Sequence, residues 1–220
     1  MVRVPFSSTV DLKRLVRIDH ISYLNRSALS EIGVGTLLAI VALCSLWGSD
    51  TQRVAAFWTG ALVCIYALRI ALSGLYQRSL RRDKNEALWL TAILSSIAIT
   101  GIAWGVFDVM ISAYGTGHRP TVILLCTGCL AMAMLAIYSG ASDAVFAYAM
   151  PALTPTIAYH IFQAEADNLA VAGVLVIYTA TLLIASRRLN ETLFAYWRAR
   201  EEGRLLLNDV DDRKEQVSTL

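Results

Sequence analysis

The stretch from Asn168 to Ala185, NLAVAGVLVIYTATLLIA, is almost purely apolar and is followed at once by the charged run SRRLNE, Ser186 to Glu191. A run of about 20 mostly apolar residues can cross the hydrocarbon core of a bilayer as a helix. No proline stands at the junction, so the pattern predicts one helix that leaves the membrane and continues in water. We interpret the rest of the chain as the part that moves or holds this helix.

The composition is that of a polytopic membrane protein. Of the 220 residues, 56% are hydrophobic and only 16% are charged, which lies outside the usual range of soluble domains. All four cysteines fall in apolar segments, which predicts free thiols and no disulfide framework. Charged residues from Asp11 to Asp19 interrupt any early apolar run, which argues against a cleaved signal peptide.

Six segments have the length and apolarity of membrane spans. They cover 29–47, 54–76, 87–112, 120–139, 144–163 and 168–186. The links between them are short, so sequential helices are expected to run antiparallel. The predicted fold class is therefore all-α, a polytopic antiparallel six-helix bundle. We divide the chain into a basic arm (1–27), a transmembrane sensor domain (28–186) and a cytoplasmic helix (187–220).

Basic residues predict the orientation in the membrane. The N-terminal arm holds five, the link from Gln77 to Glu86 holds four, and Arg187 and Arg188 follow the last span, whereas the alternate links hold only Arg53 and Arg119. Short loops rich in Lys and Arg stay in the cytoplasm. We therefore predict a multi-pass protein of the bacterial inner membrane with both termini in the cytoplasm.

The two cytoplasmic ends carry helical patterns. In the arm, apolar residues among basic ones (Leu12, Leu15, Val16 and Tyr23) favour an interfacial amphipathic helix, with a disordered arm as the alternative. After the last span a heptad seam predicts a weak parallel coiled-coil dimer, with a single surface helix as the alternative. The signal-helix residues of that seam are Leu189, Tyr196, Leu206, Val210 and Val217. Thr192, Gly203 and Arg213 interrupt it.

Motifs of soluble enzymes do not occur in this sequence. It contains no G-x-S-x-G, Walker phosphate loop, H-E-x-x-H or Gly-rich dinucleotide fingerprint. We therefore predict no catalytic residue and no enzyme activity in this chain, no cofactor, no metal and no nucleic-acid partner. Cys126 and Cys129 have the spacing of a metal pair, but the small residues around them favour helix packing instead.

Ionisable residues inside apolar spans are costly and are candidates for function. Asp108, His118 and His160 are expected at similar depths near the outer end of the bundle, and Trp104 precedes Asp108 by one turn. They define a candidate pocket for a small ligand, a proton or a metal, the alternative being polar residues wetted at the interface. Arg69 is expected to snorkel to the cytoplasmic surface.

Other residues in the spans bear on packing. Pro151 and Pro155 predict a bent fifth helix, either a hinge or a static bend. Gly101 and Gly105 predict a groove for a close neighbour beside Trp104. We expect Glu31 to pair with one of the basic residues that follow the second span, Arg78 or Arg81.

Four motifs resemble a known architecture. They are Gly101-Ile102-Ala103-Trp104-Gly105, the turn Tyr138 to Ser142, the core Met150 to Pro155, and the exit Arg187 to Asn190. Together they resemble the six-helix sensor modules that precede GGDEF diguanylate cyclase, EAL phosphodiesterase or histidine kinase domains in proteobacterial signalling proteins. No output domain follows Leu220 in this sequence, so we expect an excised input module or a stand-alone relative.

The resemblance implies a membrane input module of two-component or cyclic-di-GMP signalling. Its partners would be membrane lipid, a second copy in a parallel homodimer, a cytoplasmic output domain and a small-molecule ligand. Two alternatives from other classes stay open at this point, a small six-helix transporter or channel and a passive dimerising anchor.

Overall fold

The computed structural model describes residues 9–79 and 86–218, with the side chains of 20–79, 87–193, 195 and 196. Within these ranges the chain forms six α-helices and no strand. The helices are α1 (Thr9–Leu46), α2 (Gln52–Arg78), α3 (Glu86–Tyr114), α4 (Arg119–Ile137), α5 (Ser142–Gln163) and α6 (Ala166–Ser218). The predicted all-α helical membrane bundle is confirmed.

Five helices are long and apolar enough to cross a membrane. Their spans are His20–Leu46, Gln52–Arg78, Ala87–Tyr114, Arg119–Ile137 and Ala166–Leu193. α5 is the exception, because two prolines, two threonines and a histidine interrupt its apolar run. It packs against α3, α4 and α6 and buries one face in the bundle, so most of that face does not meet lipid. The membrane span predicted over 144–163 stays a prediction.

The backbones of α3 and α5 come into close contact. A Cβ added to Gly101 would lie 2.5 Å from the Tyr148 carbonyl oxygen, and one added to Gly105 would lie 2.6 Å from that of Ala152 and 2.7 Å from that of Pro151. The Pro151 carbonyl receives no hydrogen bond from Pro155, because proline has no N–H. This carbonyl lies against Gly105 of α3. The predicted groove is present, and α5 occupies it.

α1 is longer than the first predicted span. It runs without interruption from Thr9 to Leu46, so no helix end marks the domain boundary predicted at residue 27. Ile21 and Leu24 are buried in the bundle, because this part of α1 packs on neighbouring helices. The amphipathic residues Leu12, Leu15 and Val16 have side chains outside the described set, and the interfacial position of the arm stays a prediction.

α6 confirms the continuity across the membrane exit. Its 53 residues form one helix from Ala166 to Ser218, about 80 Å long at 1.5 Å per residue. Leu189 and Tyr196 of the predicted seam are exposed, 40% and 61% respectively. The side chains of Leu206, Val210 and Val217 lie outside the described set, so the coiled coil stays a prediction.

Replacing Gly105 by Ala should destabilise the bundle. The new methyl group would meet the α5 backbone, and over-packing of this kind costs about 1–3 kcal/mol. Gly173→Ala is the matched control, since that helical glycine has nothing within 4 Å of an added Cβ. Detergent-resistance or SDS-titration midpoints measure the effect. Equal midpoints for the two variants would show that the α3–α5 contact tolerates separation.

Candidate functional site

An ion pair is buried inside the bundle. The side chains of Glu31 (α1) and Arg69 (α2) are 1% and 3% exposed, and Arg69 Nη2 lies 3.4 Å from Glu31 Oε2. The hydroxyl of Tyr138, just after α4, donates to the same carboxylate oxygen and accepts from Arg69 Nη2 at 3.3 Å. Arg69 Nη1 donates to the Ile93 carbonyl at 3.1 Å and to the Ser96 hydroxyl of α3. Four parts of the bundle are therefore joined by one charged network.

The expectation that Arg69 snorkels is wrong. Arg69 lies nine residues before Arg78, about 14 Å along α2, and it finds its partners inside the bundle. Glu31 pairs with Arg69 and not with Arg78, which is exposed; Arg81, the other predicted partner, lies outside the described residues. Opposite charges at similar distances from the same end of two successive antiparallel spans are the sequence signal that could have identified this pair.

A second polar group lies further along α3. Thr156 Oγ1 of α5 donates to Asp108 Oδ2 at 2.8 Å. Trp104 lies one turn before Asp108 on the same face of α3. Its ring meets the ring of Trp58 edge-on, with centroids 4.8 Å apart. Trp58 also stacks on Phe107 at 3.9 Å and donates from Nε1 to the Ala103 carbonyl at 2.9 Å.

Two tyrosines complete this region. The Tyr66 hydroxyl of α2 faces Trp104 without hydrogen-bond geometry, in space that exists because residue 35 is glycine. A Cβ on Gly35 would lie 1.9 Å from that hydroxyl. Tyr148 of α5 is fully buried, within electrostatic reach of Tyr66 and Asp108. We call Tyr66, Trp104, Asp108, Tyr148 and Thr156 the interior polar site.

Several polar atoms of the interior have no hydrogen-bond partner among the described residues. They are the Tyr66 and Tyr148 hydroxyls, Trp104 Nε1, Asp108 Oδ1, Glu31 Oε1 and Arg69 Nε. An unpaired buried polar group costs about 1–3 kcal/mol, and in lipid no bulk water is at hand to offset it. Concentrating such groups in one place is typical of a functional site and not of a core selected for stability alone.

The four residues predicted from sequence separate into two sets. Asp108 and Trp104 belong to the interior polar site, and both are completely buried, so Asp108 is not wetted at the interface. His118 is exposed at the start of α4. His160 Nδ1 lies 2.8 Å from Asn168 Oδ1 near the α5–α6 link. Within the part of the chain that the structure describes, no hydrogen bond or ion pair joins either histidine to Asp108.

Metal ligands are not grouped in the described residues. No set of three or more His, Cys, Asp or Glu side chains there is arranged to hold a metal ion. Cys126 is buried while Cys129 is exposed, and the hydroxyl of Tyr178 on α6 donates to the carbonyl of the intervening Gly128 at 2.6 Å. This segment of α4 thus serves as a packing surface for α6.

Polar contacts also join α1, α4, α5 and α6 where α6 leaves the spans. His20 Nε2 (α1) lies 3.1 Å from Asp143 Oδ2 at the start of α5. Asn190 of α6 donates to the neighbouring Ser142 hydroxyl at 3.4 Å, and the Tyr23 hydroxyl of α1 donates to the Ile137 carbonyl at 2.8 Å. We call these contacts the exit clamp. The turn between α4 and α5 therefore holds α1 on one side and α6 on the other.

The charge on Asp143 depends on this clamp. Partial burial opposes its ionisation, but the hydrogen bond and the charge of His20, with backbone N–H donors, outweigh burial and hold the pKa of the Asp143 carboxyl below its usual range. A carboxyl with a lowered folded-state pKa stabilises the fold above its unfolded-state pKa. That stabilisation disappears as the pH falls through the lowered value.

Breaking the buried ion pair on one side should cost more than removing both partners. Arg69→Met leaves Glu31 buried without a counter-ion, for which about 3–5 kcal/mol is typical. The double variant Glu31→Leu/Arg69→Met should recover much of that loss. SDS-titration midpoints of the single and double variants measure the coupling, and Arg78→Met, at an exposed position, serves as control. Additive losses would contradict a coupled pair.

Asp143→Asn should change the acid limb of the stability profile. The wild-type protein should lose stability as the pH falls below the usual carboxyl pKa of about 3.9, and the variant should lack that part of the loss. Asp50→Asn, at an exposed turn position, is the matched control. Unfolding midpoints at a series of acidic pH values make the comparison, and superimposable wild-type and Asp143→Asn profiles would contradict the clamp.

Comparison with known proteins identifies one family. The family model described as MASE5, membrane-associated sensor, matches residues 30–212, far more than half of the chain. The match includes the buried ion pair, the interior polar site and most of α6. No curated protein and no solved structure matches the chain. The chain therefore belongs to the MASE5 family of membrane-associated sensors.

Proposed function

We propose that this sensor is an input module whose last helix transmits a stimulus from the bundle to a dimeric cytoplasmic output domain. The observation that carries the proposal is the continuity of α6, a single helix from Ala166 to Ser218. The output would be a cyclase, phosphodiesterase or kinase in another part of the same protein. The module would lie in the bacterial inner membrane with both ends of the chain in the cytoplasm.

The contacts of α5 supply a route for transmission. Its residues Tyr148 and Thr156 belong to the interior polar site, and Ala164 and Glu165 link it directly to α6. At the other end the exit clamp holds α6 through Asn190. Because α5 meets α6 at both ends, a change in the packing of α5 on α3 would be passed to α6. Couplings between sites of about 1–3 kcal/mol are typical of such systems.

The proline pair would give α5 two packing states. Pro151 and Pro155 lie inside a continuous helix, and each removes one backbone hydrogen bond. A helix with two bonds missing bends at lower cost than a regular one. We propose that this region is the hinge of the module.

A transporter or channel is the second candidate. The buried Glu31–Arg69 pair favours it, because charges inside a bundle and a proline-interrupted helix also occur in transporters. Substrate-dependent flux in proteoliposomes would identify this function. A passive dimerising anchor is the third, and it would be favoured if an unrelated dimeric membrane anchor could replace the spans without loss of signalling.

Disulfide cross-linking tests the parallel dimer that transmission requires. In a background without Cys44, Cys64, Cys126 and Cys129, single cysteines at Tyr196, Leu206 and Val210 should cross-link within native membranes. Asn208→Cys and Glu215→Cys, on the opposite face of the heptad, should cross-link several-fold less. The native thiols have to be removed, since three of them are exposed on the bundle surface. Equal cross-linking on both faces, or none at all, would contradict the dimer.

A further inference from the structure

We propose that the ligand of the interior polar site is a proton, carried by Asp108 when α3 and α5 pack as they do in this structure. The proposal rests on the sensor function proposed above and names what that site binds. It depends on three features of Asp108, namely its burial, the groups that face it, and the helix contact in which it lies.

Asp108 is a buried acid with no basic partner in the part of the chain that the structure describes. Its side chain is completely enclosed, Oδ2 accepts from Thr156, and Oδ1 has no partner among the described residues. An ionised carboxylate in the interior of a membrane bundle is very costly unless a cation compensates it. The enclosed position therefore favours the neutral acid, in which the proton removes the charge.

The groups that face Asp108 come from α4 and α5. α5 contributes Thr156 and Tyr148, and α4 contributes the thiol of Cys126. In the side chains described for α1 and α2, no charged group bonds to it. Arg69 is held by Glu31, Tyr138, Ser96 and Ile93, and twelve residues separate Ser96 from Asp108, about 18 Å along α3. His118, Arg119 and His160 have other partners or lie exposed.

Glu31 is the contrasting case, a buried carboxyl group with a counter-ion. It is as deeply buried as Asp108, but it has Arg69 as counter-ion and the Tyr138 hydroxyl as donor. The two acids of this bundle therefore differ in their partners. Glu31 has Arg69 as a permanent cation. Asp108 has no cation among the described residues and would bind a proton instead.

The packing around Asp108 favours the smallest cation. Trp104, Phe107, Ile111 and Thr156 are all completely or almost completely buried, and Gly105 lies against the α5 backbone. A proton enters such a site without a cavity, because it becomes part of the carboxyl group. A metal ion or an organic cation would have to force α3 and α5 apart and would find no second carboxylate or histidine bonded to Asp108 in the described residues.

Release of the proton would require water to reach Asp108. The O–H bond breaks, the electron pair stays on the carboxylate, and the proton goes to water. Water reaches the group only if α5 moves away from α3, so ionisation and helix separation are linked. Low pH would then favour the packing seen here, and high pH would favour the separated arrangement.

Infrared difference spectroscopy on the full chain in lipid vesicles tests the site. With ¹³C-labelled aspartate, a label-sensitive C=O band of a protonated carboxyl should be present in acidic buffer and decrease in alkaline buffer. Asp108→Asn should abolish the band, whereas Asp167→Asn, at an exposed position, should leave it. Thr156→Val keeps the acid but removes its hydrogen bond, so the band should move to higher frequency.

Three results would overturn the proton site. They are the absence of a label-sensitive protonated band, its persistence in Asp108→Asn, and a band that does not respond to pH. Cross-linking of Val210→Cys in the same vesicles separates this proposal from transmission. If the band responds to pH while cross-linking stays constant, the proton site is supported and transmission through α6 is contradicted. If cross-linking responds without the band, Asp108 is not the proton acceptor.

Discussion

The close approach of α3 and α5 is the contact on which the rest of this bundle depends. Backbone carbonyls of α5 lie against Gly101 and Gly105, at a distance that no other residue type would permit. This places Thr156 within hydrogen-bond distance of Asp108, and Tyr148 within electrostatic reach of Tyr66 and Asp108. Between helices in lipid the hydrophobic effect supplies little attraction. Close packing at small residues and polar contacts therefore hold the helices together. The interior polar site is thus a product of the contact that holds the two helices together.

The two buried acids differ in how strongly they join the helices around them. Glu31 is joined to Arg69, Tyr138 and α3 in a network that breaks only at high cost, and this network holds α1, α2, α3 and the end of α4 in fixed relation. Asp108 has one hydroxyl donor and no cation among the described residues, and the Tyr159 hydroxyl of α5 donates to the Ser112 carbonyl of α3 at 3.2 Å. The helix that carries two prolines is therefore held to α3 by hydrogen bonds and packing, without an ion pair among the described residues.

Hydropathy and charge predicted the helical class, the positions of five spans and the continuity of α6, because these follow from what the surrounding lipid and water require of each segment. They did not predict the Glu31–Arg69 pair, because hydropathy favoured a basic partner at the end of the second span, Arg78 or Arg81, and a position at the membrane surface for Arg69. Asp108 and Trp104 were found because both stand out in an apolar helix. Tyr66 and Tyr148 could not be found in this way, since a tyrosine in a span is ordinarily an interface residue and their roles arise from the packing of α2 and α5. The MASE5 match extends over all of these residues.

Asn190 divides α6 into two parts of similar length. Measured from Asn190, where the exit clamp grips it, the arm back to Ala166 has 24 residues and the arm forward to Ser218 has 28, about 36 and 42 Å at the helical rise. A stiff rod pivoting at that point returns a sideways shift of its Ala166 end as a shift of similar size and opposite direction at its Ser218 end. A movement of an ångström or two beside α5 would thus arrive undiminished, with its sense reversed.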